Sequence, residues 1–254
     1  MFRVVGTFVA VLTVALSLPT TTAFSVEGAH WSYSGRTGPG QWGSMEEEYK
    51  ACATGKLQSP IDIRDDRAKR TELPAIRFDY KPSALKIIDN GHTVQINYDA
   101  GSSIAIGDKR YELVQFHFHK PSEEKLNGKG YPMVAHLVHK GAGGNLAVIG
   151  VLLATGKANS LIETLWDNLP KKKESEMVVD RVKINVVDLL PKDQGYYTFT
   201  GSLTTPPCSE GVTWFVLKHP TSVSADEVAR FSKLYPMNAR PVQLLNGREV
   251  KASN

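Results

Sequence analysis

The run Gln115-Phe116-His117-Phe118-His119 constrains this chain more than any other stretch. In an extended strand successive side chains alternate faces, so residues two apart point the same way. Gln115, His117 and His119 then share one face, and Phe116 and Phe118 pack on the other. Residues 133–139 (MVAHLVH) also read as a strand, with His136 in phase with Val134 and Val138. If the two strands belong to one antiparallel sheet, three imidazoles can meet at one point. Three neutral imidazoles without a fourth protein ligand form the donor set of a catalytic zinc site whose open position takes water. Two histidines on a strand also suit a satisfied, partly buried core. The intervening phenylalanines, which back the pair with core, and the third histidine favour the metal.

With 254 residues, 41% of them apolar and 22% charged, the chain can bury one large core or two small ones. Residues 1–23 stand apart: Arg3, an apolar run over residues 4–18, then Thr21-Thr22-Ala23, whose small residues suit signal-peptidase cleavage before Phe24. The run is short of the roughly 20 residues of a membrane span, and an uncleaved anchor is the alternative. The expectation is a leader over 1–23 and a periplasmic or secreted domain over 24–254. In an oxidising compartment Cys52 and Cys208 most simply form one disulfide, the alternative being two free buried thiols. Loss of Arg3 with the leader lowers the formal net charge from +4 to +3, too mild to imply nucleic acid as a partner. Lys171-Lys172-Lys173 is followed by Glu174 and Glu176 and reads as a solvated loop or helix end.

From residue 58 to residue 153 the chain is a series of short alternating runs rich in β-branched and aromatic residues, at 85–88, 93–98, 103–106, 111–119, 133–139 and 147–153. Asn-Gly, Gly-Ser, Gly-Asp and Gly-Gly separate them. Helical periodicity is confined to residues 161–169 and 225–234, the latter opening on Ser224 with Glu227 in capping-box spacing. Residues 24–56, rich in Gly, Trp and Tyr, read as an irregular arm. Strands dominate and helices decorate, which predicts one domain on a large, mostly antiparallel sheet.

Several separate motifs in order resemble the α-class carbonic anhydrases: Trp31-Ser32-Tyr33, Gln58-Ser59-Pro60, Asn90-Gly91-His92, the Gln115–His119 run, Pro121-Ser122-Glu123, His136-Leu137-Val138-His139, Gly201-Ser202-Leu203-Thr204-Thr205-Pro206-Pro207 and Asn238-Ala239-Arg240-Pro241. The leader and the cysteine pair make the chain most similar to the exported bacterial branch. The resemblance implies a mainly β single domain with short helices, built on a twisted sheet of about ten strands, with zinc at the base of a conical cleft. It implies one Zn2+ on His117, His119 and His136, and reversible hydration of carbon dioxide by zinc hydroxide to bicarbonate and a proton. Thr204 then orients the hydroxide and Glu123 orients Thr204, because a carboxylate can only accept and so draws the Thr proton toward itself. His92 is the implied proton shuttle. Tyr33, Asn90 and Gln95 match positions that order water, and Val138, Val148, Leu203, Thr205, Val212 and Trp214 match the carbon dioxide pocket. Read without the resemblance, Thr204 is a loop residue, Glu123 a cap and His92 a turn residue. Sulfonamides and anions are the implied inhibitors. Bacterial members are often dimers, but the sequence identifies no interface.

The chain departs from the family around His136. A zinc-bound imidazole ordinarily donates its second N–H to an outer partner. Gln115 can serve His117, and the backbone near Asn238 serves His119 in the family. For His136 the family supplies a Glu two residues earlier, where this chain has Val134; the His that partners that Glu is replaced by Glu124, and the Tyr completing the cluster by Phe199. Three changes together suggest that Glu124 supplies the carboxylate from the neighbouring segment. The competing function is a carbonic-anhydrase-like binding module with weak zinc and little turnover, owing to Val134, Glu124 and Phe199. An ester hydrolase lacks its G-x-S-x-G elbow and a zincin protease its H-E-x-x-H. His30, His139 and His219 receive no role.

Overall fold

A computed structural model of the chain describes Met1 and residues 30–254; the expected leader beyond Met1, residues 2–23, lies outside the described residues. Eight strands carry most of the architecture: β1 (Ser83–Asp89), β2 (Val94–Asn97), β3 (Lys109–His119), β4 (Met133–Gly141), β5 (Leu146–Thr155), β6 (Met177–Ile184), β7 (Tyr196–Ser202) and β8 (Glu210–Leu217). They lie in the order β6-β1-β2-β3-β4-β5-β8-β7, which the short strands Lys251–Ala252 and Lys69–Arg70 extend to ten in one path. Three further strands pair beside that path. Pairing is antiparallel except at β5 with β8, at the short strand Thr221–Val223 on β5, and at the outer edge. The expected mainly β domain on one large, mostly antiparallel sheet is therefore found.

Each face of the sheet has its own core. One is a large apolar cluster in which Tyr111, Leu113, Phe116 and Phe118 of β3 meet Met133, Ala135 and Leu137 of β4. Helices α2 (Ser160–Asp167) and α3 (Ala225–Leu234) cover it with Leu161, Ile162, Leu165, Trp166 and Phe231. The capping box expected at Ser224 and Glu227 is present, satisfying two N-terminal donors of α3 reciprocally. The second cluster, with Val134, Val148, Val212 and Trp214, lies on the other side of the sheet.

A bulge in β3 between Leu113 and Gln115 decides which side the histidines take. Before it the odd-numbered Tyr111 and Leu113 enter the large core; after it the even-numbered Phe116 and Phe118 do. One extra residue, the exposed Val114, inverts the alternation. Without it the register would turn the imidazoles into the core. The same alternation in β4 sends His139 into the core side, where it is fully buried and its Nε2 pairs with the Tyr80 hydroxyl at 2.8 Å. Burial holds this imidazole neutral, with its pKa lowered to about 3.

Residues 30–56 are less irregular than the composition predicts. They form short helical turns, among them Trp42–Met45 and α1 (Ala51–Thr54). The buried Trp42 organises them: its indole N–H donates to Ser32 O at 2.9 Å and Thr37 O at 3.0 Å. Beneath it Cys52 of α1 is bonded to Cys208, closing the expected disulfide across a separation of 156 residues. A closure this long removes much freedom from the unfolded chain. The double variant C52A/C208A is expected to lose about 2–5 kcal/mol of unfolding free energy, read from urea titrations of parent and variant.

Candidate metal centre

The centre is built where β3 and β4 pair. His117 stands directly opposite His136, and His119 opposite Val134. His119 and His136 are almost wholly buried, and His117 is partly exposed at the base of the cleft. One nitrogen from each imidazole lies within 4.8 Å of the others. The opposite ring nitrogen of each is committed elsewhere. His117 Nδ1 meets Gln115 Oε1 at 2.8 Å, and His119 Nδ1 meets the carbonyl oxygen of Asn238 at 2.8 Å. His136 Nε2 meets both carboxylate oxygens of Glu124 at 3.1 Å. Every acceptor fixes the N–H on the outer nitrogen, leaving lone pairs on His117 Nε2, His119 Nε2 and His136 Nδ1 to converge. His119 Nε2 is buried with no hydrogen-bond partner, an orphan that a cation at the point of convergence would satisfy.

The electrostatics keep two of the three imidazoles neutral. Burial, then the neighbouring His136, lowers the pKa of His117 to about 3, and the same two causes, with His117 added, hold His119 well below its ordinary value. Burial opposes charge on His136 too, but the Glu124 carboxylate outweighs it and raises that pKa. Neutral imidazoles are what a transition metal takes as ligands, and nitrogen donors in this number suit zinc. Glu124 itself is fully buried, on the segment between β3 and β4.

Glu123 is the second buried carboxyl. Burial chiefly, opposed by His136 and reinforced by Glu124, raises its pKa to about 7. Its Oε1 accepts from the Arg240 backbone N–H at 2.7 Å, while Oε2 is buried without a partner of standard geometry. The nearby Thr204 hydroxyl works against burial, favouring the charged form of this carboxyl. Thr204 is buried in the loop between β7 and β8, which a bond from Cys208 N to Thr205 O at 2.8 Å closes and the disulfide anchors to α1. Gly201, at the base of that loop, has no room for a side chain, because a Cβ there would lie 2.1 Å from Ser59 Oγ and 2.8 Å from Trp214 Cδ1.

Above the histidines a cavity of about 120 Å3 is lined in part by Tyr33, Asn90, His92, Gln95, Gln115 and Thr205. The His92 ring lies flat on Trp31, with centroids 3.6 Å apart and planes 7° from parallel. His30 stacks against it at 5.3 Å. Partial burial, then His30, lowers the His92 pKa, against the pull of Glu174 and Asp89. Tyr33 keeps its proton, since burial and then Glu123 raise its pKa. The wall beside the centre is apolar: Val148, Val212 and Trp214 are buried, and Val138 and Leu203 pack against them. Phe199 lies parallel to Trp214 in that same cluster, 6.2 Å between centroids, away from Glu124's bond to His136.

The structure thus brings together the residues that the sequence singled out. Two contributions were not anticipated. Arg240 is buried, and besides holding Glu123 its guanidinium donates to Gln58 Oε1, Ser59 O and Cys52 O at 2.8–3.0 Å. Asn238 does more than accept from His119: its Nδ2 donates to His92 O and Phe118 O, both at 3.0 Å, tying the His92 turn to the ligand strand. No periodicity marks either residue, because both lie in an irregular segment near the C-terminus. His219 is exposed and pairs with Asp193 at 3.3 Å, remote from the centre.

Comparison with known proteins agrees with this geometry. The family model described as eukaryotic-type carbonic anhydrase matches residues 37–254. A Klebsiella pneumoniae carbonic anhydrase is 44% identical over 240 residues, covering 93% of this chain and 95% of the relative. A Nostoc carbonic anhydrase is 38% identical over 246 residues, covering 95% and 92%. Among solved structures, the α-carbonic anhydrase of Thermovibrio ammonificans in complex with the inhibitor sulfanilamide superposes with a TM-score of 0.85 at 42% identity, covering 88% of this chain and 99% of that one.

Removal of one convergent nitrogen tests the centre directly. The parent is expected to retain added zinc through dialysis, and His119→Ala to lose it, with metal content measured by atomic emission.

Proposed function

The chain belongs to the eukaryotic-type, or α-class, carbonic anhydrase family, and from that premise we propose a zinc-dependent hydration of carbon dioxide in which His117, His119 and His136 hold the metal. The family supports the enzymatic activity itself; the assignment of roles to residues is our reading. It is carried by one observation, the convergence of three imidazole nitrogens whose outer nitrogens are all occupied. Zinc, when bound there, supplies Lewis acidity that lets water give up its proton near neutral pH and attack as a nucleophile.

The protein's own groups then orient, exclude and relay. Thr204 donates to Glu123, so its oxygen lone pair is left to accept from the nucleophile and aim it. Val138, Val148, Leu203, Val212 and Trp214 give uncharged carbon dioxide a dry surface, and Thr205 borders the cleft beside them. His92 takes the proton that each turnover must discard. Tyr33, Asn90 and Gln95 order the water between it and the centre. The lowered pKa of His92 suits a group that must hand the proton on rather than keep it. Sulfonamides and small anions are the expected inhibitors, as ligands for the open metal position. Leader and disulfide together support export, to the periplasm or beyond. Among the described residues no helix is long and apolar enough to cross a membrane.

The binding-module alternative rested on the missing outer partner of His136. The bond from His136 to Glu124 favours the enzyme. Glu124→Ala is expected to weaken zinc binding by about 10–100-fold, measured by competition with a chromophoric chelator. The double variant E124H/V134E, which returns the carboxylate to the family's position, is expected to bind more tightly than either single variant. His92→Ala is expected to lower kcat for hydration by about tenfold or more with kcat/KM nearly unchanged, and added imidazole to restore it. Stopped-flow assays in weak buffer read the loss and rescue in His92→Ala.

A further inference from the structure

Asn90, Gln95 and Asn97 form a directed chain of side-chain amides that begins at the His92 turn and ends outside the cleft. Asn90 Oδ1 accepts from the backbone N–H groups of His92 at 3.0 Å and Thr93 at 2.9 Å. Asn90 Nδ2 donates to Gln95 Oε1 at 3.2 Å, and Gln95 Nε2 donates to Asn97 Oδ1 at 2.7 Å. Asn97 Nδ2 donates to Glu176 Oε2 at 2.5 Å. Glu176 is exposed, on the loop that leads into β6.

The direction of this chain is fixed twice. At one end two backbone N–H groups can only donate, so the Asn90 oxygen must face them. At the other end a carboxylate can only accept, so the Asn97 NH2 must face it. Both requirements give the same orientation to Gln95 between them. Aligned hydrogen bonds polarise one another and strengthen the series. The chain runs along the cleft face of β2, where Gln95 is opposite His117 and Asn97 opposite Gln115. Asn90 and Gln95 line the cavity between the histidines and His92. Their orientation decides which N–H and which lone pair each leaves for water there.

We propose that Glu176, though exposed and outside the cleft, is a positioning residue for proton transfer. Acting through Asn97, it secures from the far end the orientation of Gln95 that the His92 turn sets at Asn90, and so the water between the metal centre and His92. This rests on the reading of His92 as the shuttle. The test uses the zinc-loaded protein and three forms: parent, Glu176→Ala and Glu176→Gln. Glutamine removes the charge but keeps an acceptor oxygen, so it separates hydrogen-bond polarity from field effects.

In Glu176→Ala, kcat in weak buffer should fall by about two- to tenfold, the loss expected for one hydrogen bond. Its kcat/KM and zinc content should stay at parental values, and Glu176→Gln should recover most of the lost kcat. Side-chain amide NMR gives a second readout that does not depend on turnover. The Asn97 and Gln95 NH2 resonances should shift in Glu176→Ala and return toward parental positions in Glu176→Gln. Unmoved amide resonances would overturn the relay, and moved resonances with parental kcat would overturn its role in proton transfer. A fall equal in kcat and kcat/KM, or lost zinc, would make Glu176 merely structural. An unchanged kcat in His92→Ala would instead refute the shuttle and the function assigned to the relay with it, leaving the amide resonances to report whether the relay exists.

Discussion

The site depends on presenting three crowded imidazoles as ligands while each commits its second nitrogen to a fixed acceptor. Burial does the first part for His117 and His119, since an unpaired imidazolium inside the protein would be poorly solvated, while Glu124 favours charge on His136 until a metal displaces the proton. The acceptors do the second: an amide oxygen for His117, a backbone carbonyl for His119 and a carboxylate for His136. Because the acceptors are held rigidly, the three remaining lone pairs are aimed before any metal arrives. Gln115 lies on β3 itself, whereas Asn238 reaches in from the C-terminal segment and Glu124 from the turn between β3 and β4. Three separate parts of the chain must therefore be in place, which makes the centre a property of the whole fold.

The carboxylate on His136 illustrates how such a site tolerates change. What matters to the imidazole is an acceptor at its Nε2, and the sequence position supplying it is secondary. Glu124 comes from the segment beside the strand instead of from the strand itself, and Val134, freed of that duty, joins the apolar cluster with Val148 and Trp214. Phe199 completes the exchange by stacking on Trp214. A tyrosine hydroxyl in that apolar layer would need a partner of its own. Two adjacent buried carboxylates, Glu123 and Glu124, are the consequence, and each raises the other's demand for a donor. The Arg240 N–H meets that demand at one oxygen of Glu123, and His136 meets it for Glu124.

Much of this was legible in the residues alone. The period-two alternation of residues 115–119 predicts a shared face, and the pairing of His117 with His136 supplies the neighbour that the sequence could only suppose. The strands between residues 83 and 155 and the α3 capping box follow from local patterns, and the sequence places them within a few residues, whereas β6, β7 and β8 are not singled out by it. The roles of Thr204, Glu123 and His92 came from resemblance, because a loop threonine, a buried glutamate and a turn histidine carry no local signal of their chemistry. Other features were hidden for a physical reason. The bulge at Val114 leaves no mark in composition, yet it decides which face the imidazoles take. Arg240 and Asn238 work from an irregular segment more than a hundred residues from their partners Glu123 and His119, where neither propensity nor period applies.

The most direct test is stopped-flow hydration of carbon dioxide by the domain over residues 24–254, with zinc stoichiometry determined on the same sample. The account predicts about one zinc per chain and rapid hydration that disappears on chelation and returns with zinc. A fully zinc-loaded protein that hydrates carbon dioxide no faster than buffer would contradict it.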